Sequence, residues 1–275
     1  MREADIFFQL HASKTGQLHD GAARCGRSAG TDLDDMQSAF YVSLSAQVSV
    51  DKRMETLANN IANAATPGYR ADGVSFQQVV SQTDTSKTAY VSAGKDFVSR
   101  AVGELTKTGD PYDIGIVGNG YFAIRTPNGT AYTRDGRMRM TETGDLQTVS
   151  GFPILDAGNS AVVLDPNGGP PMISRDGMIT QSGRQVGAVG LFTLDDTADL
   201  TRGPNASLIP SKPATAVLDF VRNGVQQGFI EGSNVNPIHE MAKLIATSRA
   251  FDSVSSMNDM LDSSQREAIR TLGGS

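Results

Sequence analysis

Apolar residues recur at helical spacing in two stretches, one toward each end of the chain. In the first, from Met36 onward, the steps are 4, 3, 4 and 3 between Val50, Met54, Leu57, Ile61 and Ala64. This is the spacing of a helix that packs against another helix. We expect the helix to end near Ala65, because Thr66 precedes a proline and is pushed out of the α region. Pro67-Gly68 then predicts a type II turn.

The second helical stretch begins after Gly232. Asn236 suits the N-cap and Pro237 the first helical position. A broad apolar stripe then runs as far as Leu272 through Met241, Leu244, Ile245, Phe251, Val254, Met257, Leu261 and Ile269. Both stretches are rich in serine, which favours caps and turns over helix interiors. We therefore expect these helices to form mainly against a partner surface.

Between the two stretches, short apolar runs alternate with turn signals over residues 110–230. Asn-Gly and Asp-Gly pairs flanked by β-formers predict hairpins and an antiparallel sheet. The predicted fold class is α+β, with long N- and C-terminal helices that pair with each other and flank an antiparallel β-rich middle domain. The predicted boundaries are a leader at 1–35, helices at 36–66 and 231–275, an irregular linker at 67–109 and the β-rich domain at 110–230.

Residues 1–35 show no sustained period, and they hold the single cysteine, Cys25, with His11 and His19. Helical patterning begins abruptly at Met36. We therefore hypothesise that translation begins at Met36 and that the leader is not native.

Composition excludes several classes of protein. The formal net charge of −6 argues against a nucleic-acid partner. No stretch approaches the roughly 18 consecutive apolar residues of a membrane-spanning helix, so we expect no membrane insertion. The N-terminus also lacks the apolar region of a cleaved signal peptide.

The 240 residues from Met36 onward contain no cysteine and one histidine, His239. This body can form no disulfide, no Cys/His zinc site and no cysteine nucleophile. Gly118-Asn119-Gly120 begins a G-x-G-x-x-A match, but a strand and a turn follow it where a dinucleotide site needs a helix. Asp195, Asp196 and Asp199 lack the spacing of a cation cage and indicate a solvated loop. We predict no catalytic residue, no cofactor and no metal.

The apolar stripes fit two interpretations equally well on periodicity alone. One is a helical hairpin that packs on the molecule's own sheet, and the other is a self-assembly surface. A periplasmic β-rich enzyme or carbohydrate binder is the rival from another class, although the body offers no pairing of histidine with a nucleophile. A cytoplasmic β-rich interaction module is a third option.

Sequence motifs at both ends resemble one known family. Residues 57–70 (LANNIANAATPGYR) are similar to the N-terminal signature of flagellar axial proteins, the rod and hook subunits. Residues 232–241 (GSNVNPIHEM) resemble the matching C-terminal signature, which 248–251 (SRAF) continue. The motifs at 118–122 and 132–136 resemble the family's central β domain. Within the family, body length and residues 109–113 (GDPYD) favour a proximal rod protein, with a distal rod or hook protein as the alternative.

The resemblance implies a structural subunit of the basal-body rod, exported through the flagellar type III apparatus without a cleaved signal peptide. It implies assembly in the periplasm, with further copies and other axial proteins, into a hollow torque-transmitting shaft lined by the terminal helices. From the stripes and signatures together we predict an assembly interface. Its residues are Val50, Met54, Leu57, Asn59, Asn60, Ile61, Asn63, Pro67, Gly68, Asn234, Asn236, Met241, Leu244, Ile245, Phe251, Val254 and Leu261.

Overall fold

The computed structural model describes residues 29–83, 86–92 and 94–273. Helix α1 spans Ala29–Ala62 and helix α2 spans Pro237–Gly273. Most of the predicted leader, residues 1–28, lies outside the described residues, and the start of translation at Met36 stays a prediction. Helix α1 ends three residues before the predicted Ala65, where the backbone N–H of Asn63 is shared between the carbonyls of Asn59 and Asn60.

The chain between the helices is built of short strands. The first five are β1 (Asp72–Ser75), β2 (Gln78–Thr83), β3 (Ser86–Val91), β4 (Lys95–Val98) and β5 (Leu105–Lys107). The next seven are β6 (Ile114–Val117), β7 (Tyr121–Thr126), β8 (Gly129–Thr133), β9 (Met138–Met140), β10 (Leu146–Thr148), β11 (Met172–Ile173) and β12 (Met178–Gln181). The last seven are β13 (Arg184–Ala188), β14 (Leu191–Thr193), β15 (Leu200–Arg202), β16 (Leu208–Pro210), β17 (Thr215–Ala216), β18 (Gly224–Gln227) and β19 (Phe229–Glu231), with a 3-10 turn at Pro204–Ala206.

The largest sheet has six strands in the order β15-β16-β8-β7-β14-β17, and β11-β12-β13 form a second sheet. The remaining described strands form the pairs β1-β4, β2-β3, β5-β19, β6-β18 and β9-β10. Each of these described pairings is antiparallel. The prediction of an antiparallel β-rich middle followed by a C-terminal helix is confirmed.

The segment 67–109, predicted as an irregular linker, contains β1 to β5 instead. Strand β5 pairs with β19, so that Leu105 lies opposite Glu231 far along the chain. Such short, polar strands carry no clear alternation, and part of their order comes from a distant partner. Pairing of this kind leaves no local signal, which is why the sequence suggested a linker.

Two groups of buried side chains form the core. The larger includes Ile114, Phe122 and Ile154, each 0% exposed. In the smaller group, the Tyr132 and Phe192 rings meet edge to face with centroids 5.6 Å apart. Val98 of β4 belongs to this group, so the segment before the middle domain contributes to the domain's core.

Several serine and threonine hydroxyls in the helices donate a hydrogen bond to a carbonyl of their own helix. In α1 the Ser43, Ser45 and Ser49 hydroxyls donate to carbonyls three residues earlier at 2.7–2.8 Å. In α2, Thr247 and Ser253 donate four residues back. This local bonding gives the hydroxyl of a serine or threonine a hydrogen-bond partner within its own helix. Among the described helices, neither is long and apolar enough to cross a membrane.

Candidate assembly junction and helix surfaces

The chain leaves helix α1 through a tight turn that only glycine can complete. Gly68 has φ +69°, as the predicted type II turn at Pro67-Gly68 requires. A Cβ at this position would lie 2.2 Å from the backbone nitrogen of Asp135. The Gly68 N–H donates to the carbonyl of Glu231 at 2.8 Å. The turn therefore packs tightly between the C-terminal segment and the β domain.

Asn60, in the middle of the N-terminal motif, connects three segments. It is 2% exposed. Its side-chain oxygen accepts from the backbone N–H of Asp72 at 2.8 Å, and its Nδ2 donates to the Asp72 carbonyl at 2.9 Å. Nδ2 also lies 3.3 Å from Oε2 of Glu240, in the first turn of α2. One amide thus joins the end of α1, the start of β1 and the start of α2.

The next part of the junction is a stacked pair, with the Arg202 guanidinium 4.3 Å from the centre of the Tyr69 ring. Arg202 also donates to the Asp72 carboxylate at 2.7 Å. The Tyr69 hydroxyl donates to Asp72 at 3.1 Å. Burial, together with the nearby Asp72 charge, raises the pKa of Tyr69 to about 12. The phenol is therefore a neutral donor at any physiological pH, and it connects the N-terminal motif to β15.

Behind this layer lies a buried charged trio made of Arg70, Arg134 and Glu231, which are each 1–2% exposed. The Glu231 carboxylate lies 2.7 Å from Nη2 of Arg70 and 2.7 Å from Nε of Arg134. It also accepts from the Gly103 N–H at 2.9 Å. Burial, and then the like charge of Arg134, lowers the pKa of Arg70 below the ordinary arginine value. Two cations thus share one carboxylate.

The C-terminal motif enters the junction through two asparagines. The Asn234 side chain accepts from the Ala71 N–H at 2.7 Å and donates to the Ala101 carbonyl at 2.8 Å. Asn236 caps α2, because its Oδ1 accepts from the His239 N–H at 3.1 Å. The predicted N-cap and the proline at the first helical position are both confirmed.

Comparison with known proteins identifies the family of the chain that forms this junction. Residues 40–70 match the family model described as flagella basal body rod protein. Residues 115–181 match the flagellar hook protein FlgE/F/G D1 domain, and 226–271 match the flagellar basal body rod FlgEFG protein C-terminal model. The flagellar basal-body rod protein FlgF of Mesorhizobium japonicum is 44% identical over 238 residues, which are 86% of this chain and 99% of that protein. The chain belongs to the flagellar basal-body rod protein family.

Two other relatives support membership of this family. FlgF of Rhizobium meliloti is 45% identical over 240 residues, covering 87% of this chain and 100% of the relative. The flagellar basal-body rod protein FlgG of Bacillus subtilis is 27% identical over 260 residues, covering 85% and 98%. Rod proteins of this family are structural components of the flagellum, so the prediction that the chain is not an enzyme is confirmed.

The predicted interface residues of this rod protein fall into three groups by burial. In the N-terminal motif Leu57, Asn60 and Gly68 are buried. Half-buried residues are Val50, Met54, Ile61, Asn63, Pro67, Asn234, Leu244, Phe251, Val254 and Leu261. Only Asn59, Asn236, Met241 and Ile245 are exposed. The junction brings together Asn60, Gly68 and Asn234, while Val254 and Leu261 lie far along α2.

Sequence reasoning missed several exposed apolar side chains on the helices. On α1, Phe40, Tyr41, Leu44 and Val48 form one face and are between 36% and 56% exposed. On α2, Ile238 is 77% exposed and extends the exposed face of Met241 and Ile245, which were predicted. A spacing of three and four residues relates these side chains and could have identified them. Arg70, Arg134 and Glu231 were also missed, because no local pattern predicts burial of a charge.

Two other sequence motifs have structural roles. Strand β7 follows Gly118-Asn119-Gly120 directly, and the β7–β8 hairpin turns at residues 127–128, which confirms the hairpin interpretation of the G-x-G-x-x-A match. Asp195 is exposed, and hydrogen bonds from Thr197 lower its pKa to about 2. Among the residues that the structure describes, no group of His, Cys, Asp and Glu is placed to hold a metal ion.

Proposed function

We propose that this chain is a structural subunit of the proximal rod of the flagellar basal body. The observation that carries the proposal is the junction itself. It joins the two terminal segments that match rod-protein models, because the Asn60–Glu240 and Arg70–Glu231 contacts connect these segments. The FlgF relatives, at 44% and 45% identity over nearly their whole length, support the proximal position.

The terminal helices pair within one subunit in this proposal. A side-chain amide hydrogen bond of 2.8 Å from Asn258 of α2 to Gln47 of α1 supports the pairing. So does the half-burial of Val50, Met54 and Ile61 on α1 and of Leu244, Phe251, Val254 and Leu261 on α2. The half-buried residues of the predicted stripes then serve mainly to hold the subunit's own helices together. The exposed faces around Leu44 and Ile245 are left for neighbouring subunits.

The wider assembly is also part of the proposal. Copies of the chain contact one another and other axial proteins, and repeated contacts that do not close build the hollow shaft. The subunit reaches the periplasm through the flagellar type III export apparatus without a cleaved signal peptide. A body without cysteine suits an oxidising compartment.

A labelled subunit tests this function. The source bacterium should lose motility when the gene is deleted, and motility should return when a tagged copy is supplied. Immunogold labelling of purified basal bodies should then mark the cell-proximal end of the rod. A label at the distal end or on the hook would favour the alternative axial subunits, and basal bodies without any label would contradict a rod function.

A further inference from the structure

Asparagine followed by glycine occurs four times in the chain, at Asn119, Asn128, Asn167 and Asn223. This pair is chemically unstable, because glycine has no Cβ to shield its backbone nitrogen from the amide carbon of the preceding side chain. Attack by that nitrogen expels ammonia and leaves a five-membered cyclic imide. The residue types are the same in all four pairs, so any large difference in reactivity between them comes from the fold.

Two of the pairs are held inside the β domain. Gly120 and Gly224 are both buried. A Cβ on Gly120 would lie 2.7 Å from Cδ1 of Leu191, and Gly224 belongs to strand β18, which pairs with β6. The Asn223 Oδ1 accepts from the Asn119 N–H at 2.9 Å, which fixes that side chain. Attack at either pair therefore requires this part of the domain to open first.

The third pair, at Asn167, lies in a turn that surrounding groups hold closed. The Gly168 N–H donates to the Asp165 carbonyl at 3.0 Å. The buried Gln181 side chain donates to the same carbonyl at 3.2 Å. The Ser182 hydroxyl donates to the Gly168 carbonyl at 3.0 Å. These hydrogen bonds restrain the turn even though the Asn167 side chain is exposed.

Asn128 lies at the tip of the β7–β8 hairpin, in a far more open setting. Asn128 and Gly129 are both exposed. Apart from chain neighbours, no atom of the described residues lies within 4 Å of a Cβ built on Gly129. Gly129 and Thr126 form the last residue pair of the hairpin, where the Thr126 hydroxyl donates to the Gly129 carbonyl at 2.7 Å. Because the end of a hairpin opens at little cost, the Gly129 nitrogen is the least restrained of the four.

We propose that Asn128 is a site of spontaneous modification, which the fold leaves reactive while it protects the other three asparagine–glycine pairs. The Gly129 nitrogen bonds to Cγ of Asn128, the Cγ–Nδ2 bond breaks, and the N–H proton leaves with the amide nitrogen as ammonia. One water molecule then opens the imide. Opening at Cγ gives aspartate. Opening at the main-chain carbonyl gives isoaspartate, in which the backbone runs through the former side chain.

The modification changes the hairpin tip in two ways. Either product adds one negative charge to an exposed position. Isoaspartate also inserts a methylene group into the main chain of a two-residue loop, and loop length selects the turn that joins the two strands. The core residues Phe122 and Tyr132 lie further along the hairpin, so we expect the change to stay at the tip. The inference is independent of the proposed rod function, since it depends only on the fold of the β domain.

Peptide mapping by mass spectrometry tests the site on the purified full-length chain after ageing in mildly alkaline buffer. Trypsin places the four asparagines on separate peptides, and replacement of an amide by a carboxyl group raises the mass of the peptide. The free energy of local opening ranges from almost zero at loop tips to that of global unfolding in the core. Asn128 should therefore react at least about tenfold faster than each of the other three. In denaturant, where the fold protects none of them, the four should react at similar rates.

A rate at Asn128 no higher than at Asn119, Asn167 or Asn223 in the folded chain would overturn the proposal. So would the same order of rates in denaturant, because flanking residues and not the fold would then cause the difference. Asn128→Gln is the matched variant, since its longer side chain does not close a five-membered ring. It should keep the melting temperature of the parent and release ammonia severalfold more slowly. Unchanged ammonia release from this variant would equally reject the site.

Discussion

The Glu231 carboxylate lies 2.7 Å from the guanidinium of Arg70, and each side chain is 1% exposed. Arg70 is the last residue of the N-terminal motif, and Glu231 directly precedes the C-terminal motif. Arg134 of the β domain binds the other carboxylate oxygen. Three separate parts of the chain therefore depend on one buried carboxylate.

We expect Glu231→Gln to destabilise the protein strongly. Removing one partner of a buried ion pair leaves uncompensated charge and typically costs about 3–5 kcal/mol. Here two arginines would lose their shared counter-ion. Chemical denaturation of the purified variant measures the loss. Glu104→Gln, at an exposed position nearby, is the control, and an unchanged unfolding midpoint in Glu231→Gln would contradict the role of the trio.

Gly68 is needed at the turn after α1 for two reasons, its positive φ and its close approach to Asp135. Comparing Gly68→Ala with a matched control separates the two effects. The control is Gly169→Ala, since Gly169 has a similar φ of +74° but no atom within 4 Å of an added Cβ. In that control the free energy of unfolding should fall by only roughly 1–2 kcal/mol, the cost of placing a non-glycine residue in the left-handed conformation. Gly68→Ala should lower the free energy of unfolding by clearly more, because its Cβ would clash with the backbone of Asp135. Equal losses in thermal denaturation would show that the close approach is relieved without cost.

A carboxylate should have different effects on the exposed helix faces and at the buried stripe residue Leu57. Leu44→Asp and Ile245→Asp place it on exposed faces, so the melting temperature should hold while rod formation and motility fail. Leu57→Asp buries an unpaired carboxylate, which costs several kcal/mol and should lower the melting temperature. Thermal denaturation of the purified variants and swimming assays of the mutant strains together test this prediction. A fully motile Leu44→Asp strain would remove that face from the assembly surface.

Alkaline pH should weaken the junction through Tyr69. Its pKa is about 12 in the folded protein against 10 when unfolded. Between these values the unfolded chain has released the proton while the folded protein keeps it, so stability present below pH 10 is lost as the pH rises toward 12. Unfolding free energies measured across this range should fall less steeply in Tyr69→Phe, although its stability at neutral pH is lower. Identical slopes would show that Tyr69 does not contribute.

Local chemistry explains which features could be predicted from the sequence. The Asn236 cap, the Pro67-Gly68 turn and the hairpin at residues 127–128 depend on neighbours within a few residues, so their residue types were sufficient. The motifs at the two ends were sufficient for the family as well.

Tertiary structure alone decided the rest. The pairing of β5 with β19, and the meeting of Arg70, Arg134 and Glu231, join positions remote in sequence. Burial of a charge depends on what surrounds it in space, and a residue's type does not carry that information. The same holds for the helices. Periodicity identified an apolar stripe through Leu57, but only the neighbours supplied by the fold determine that this stripe is covered and that Leu44 is left open.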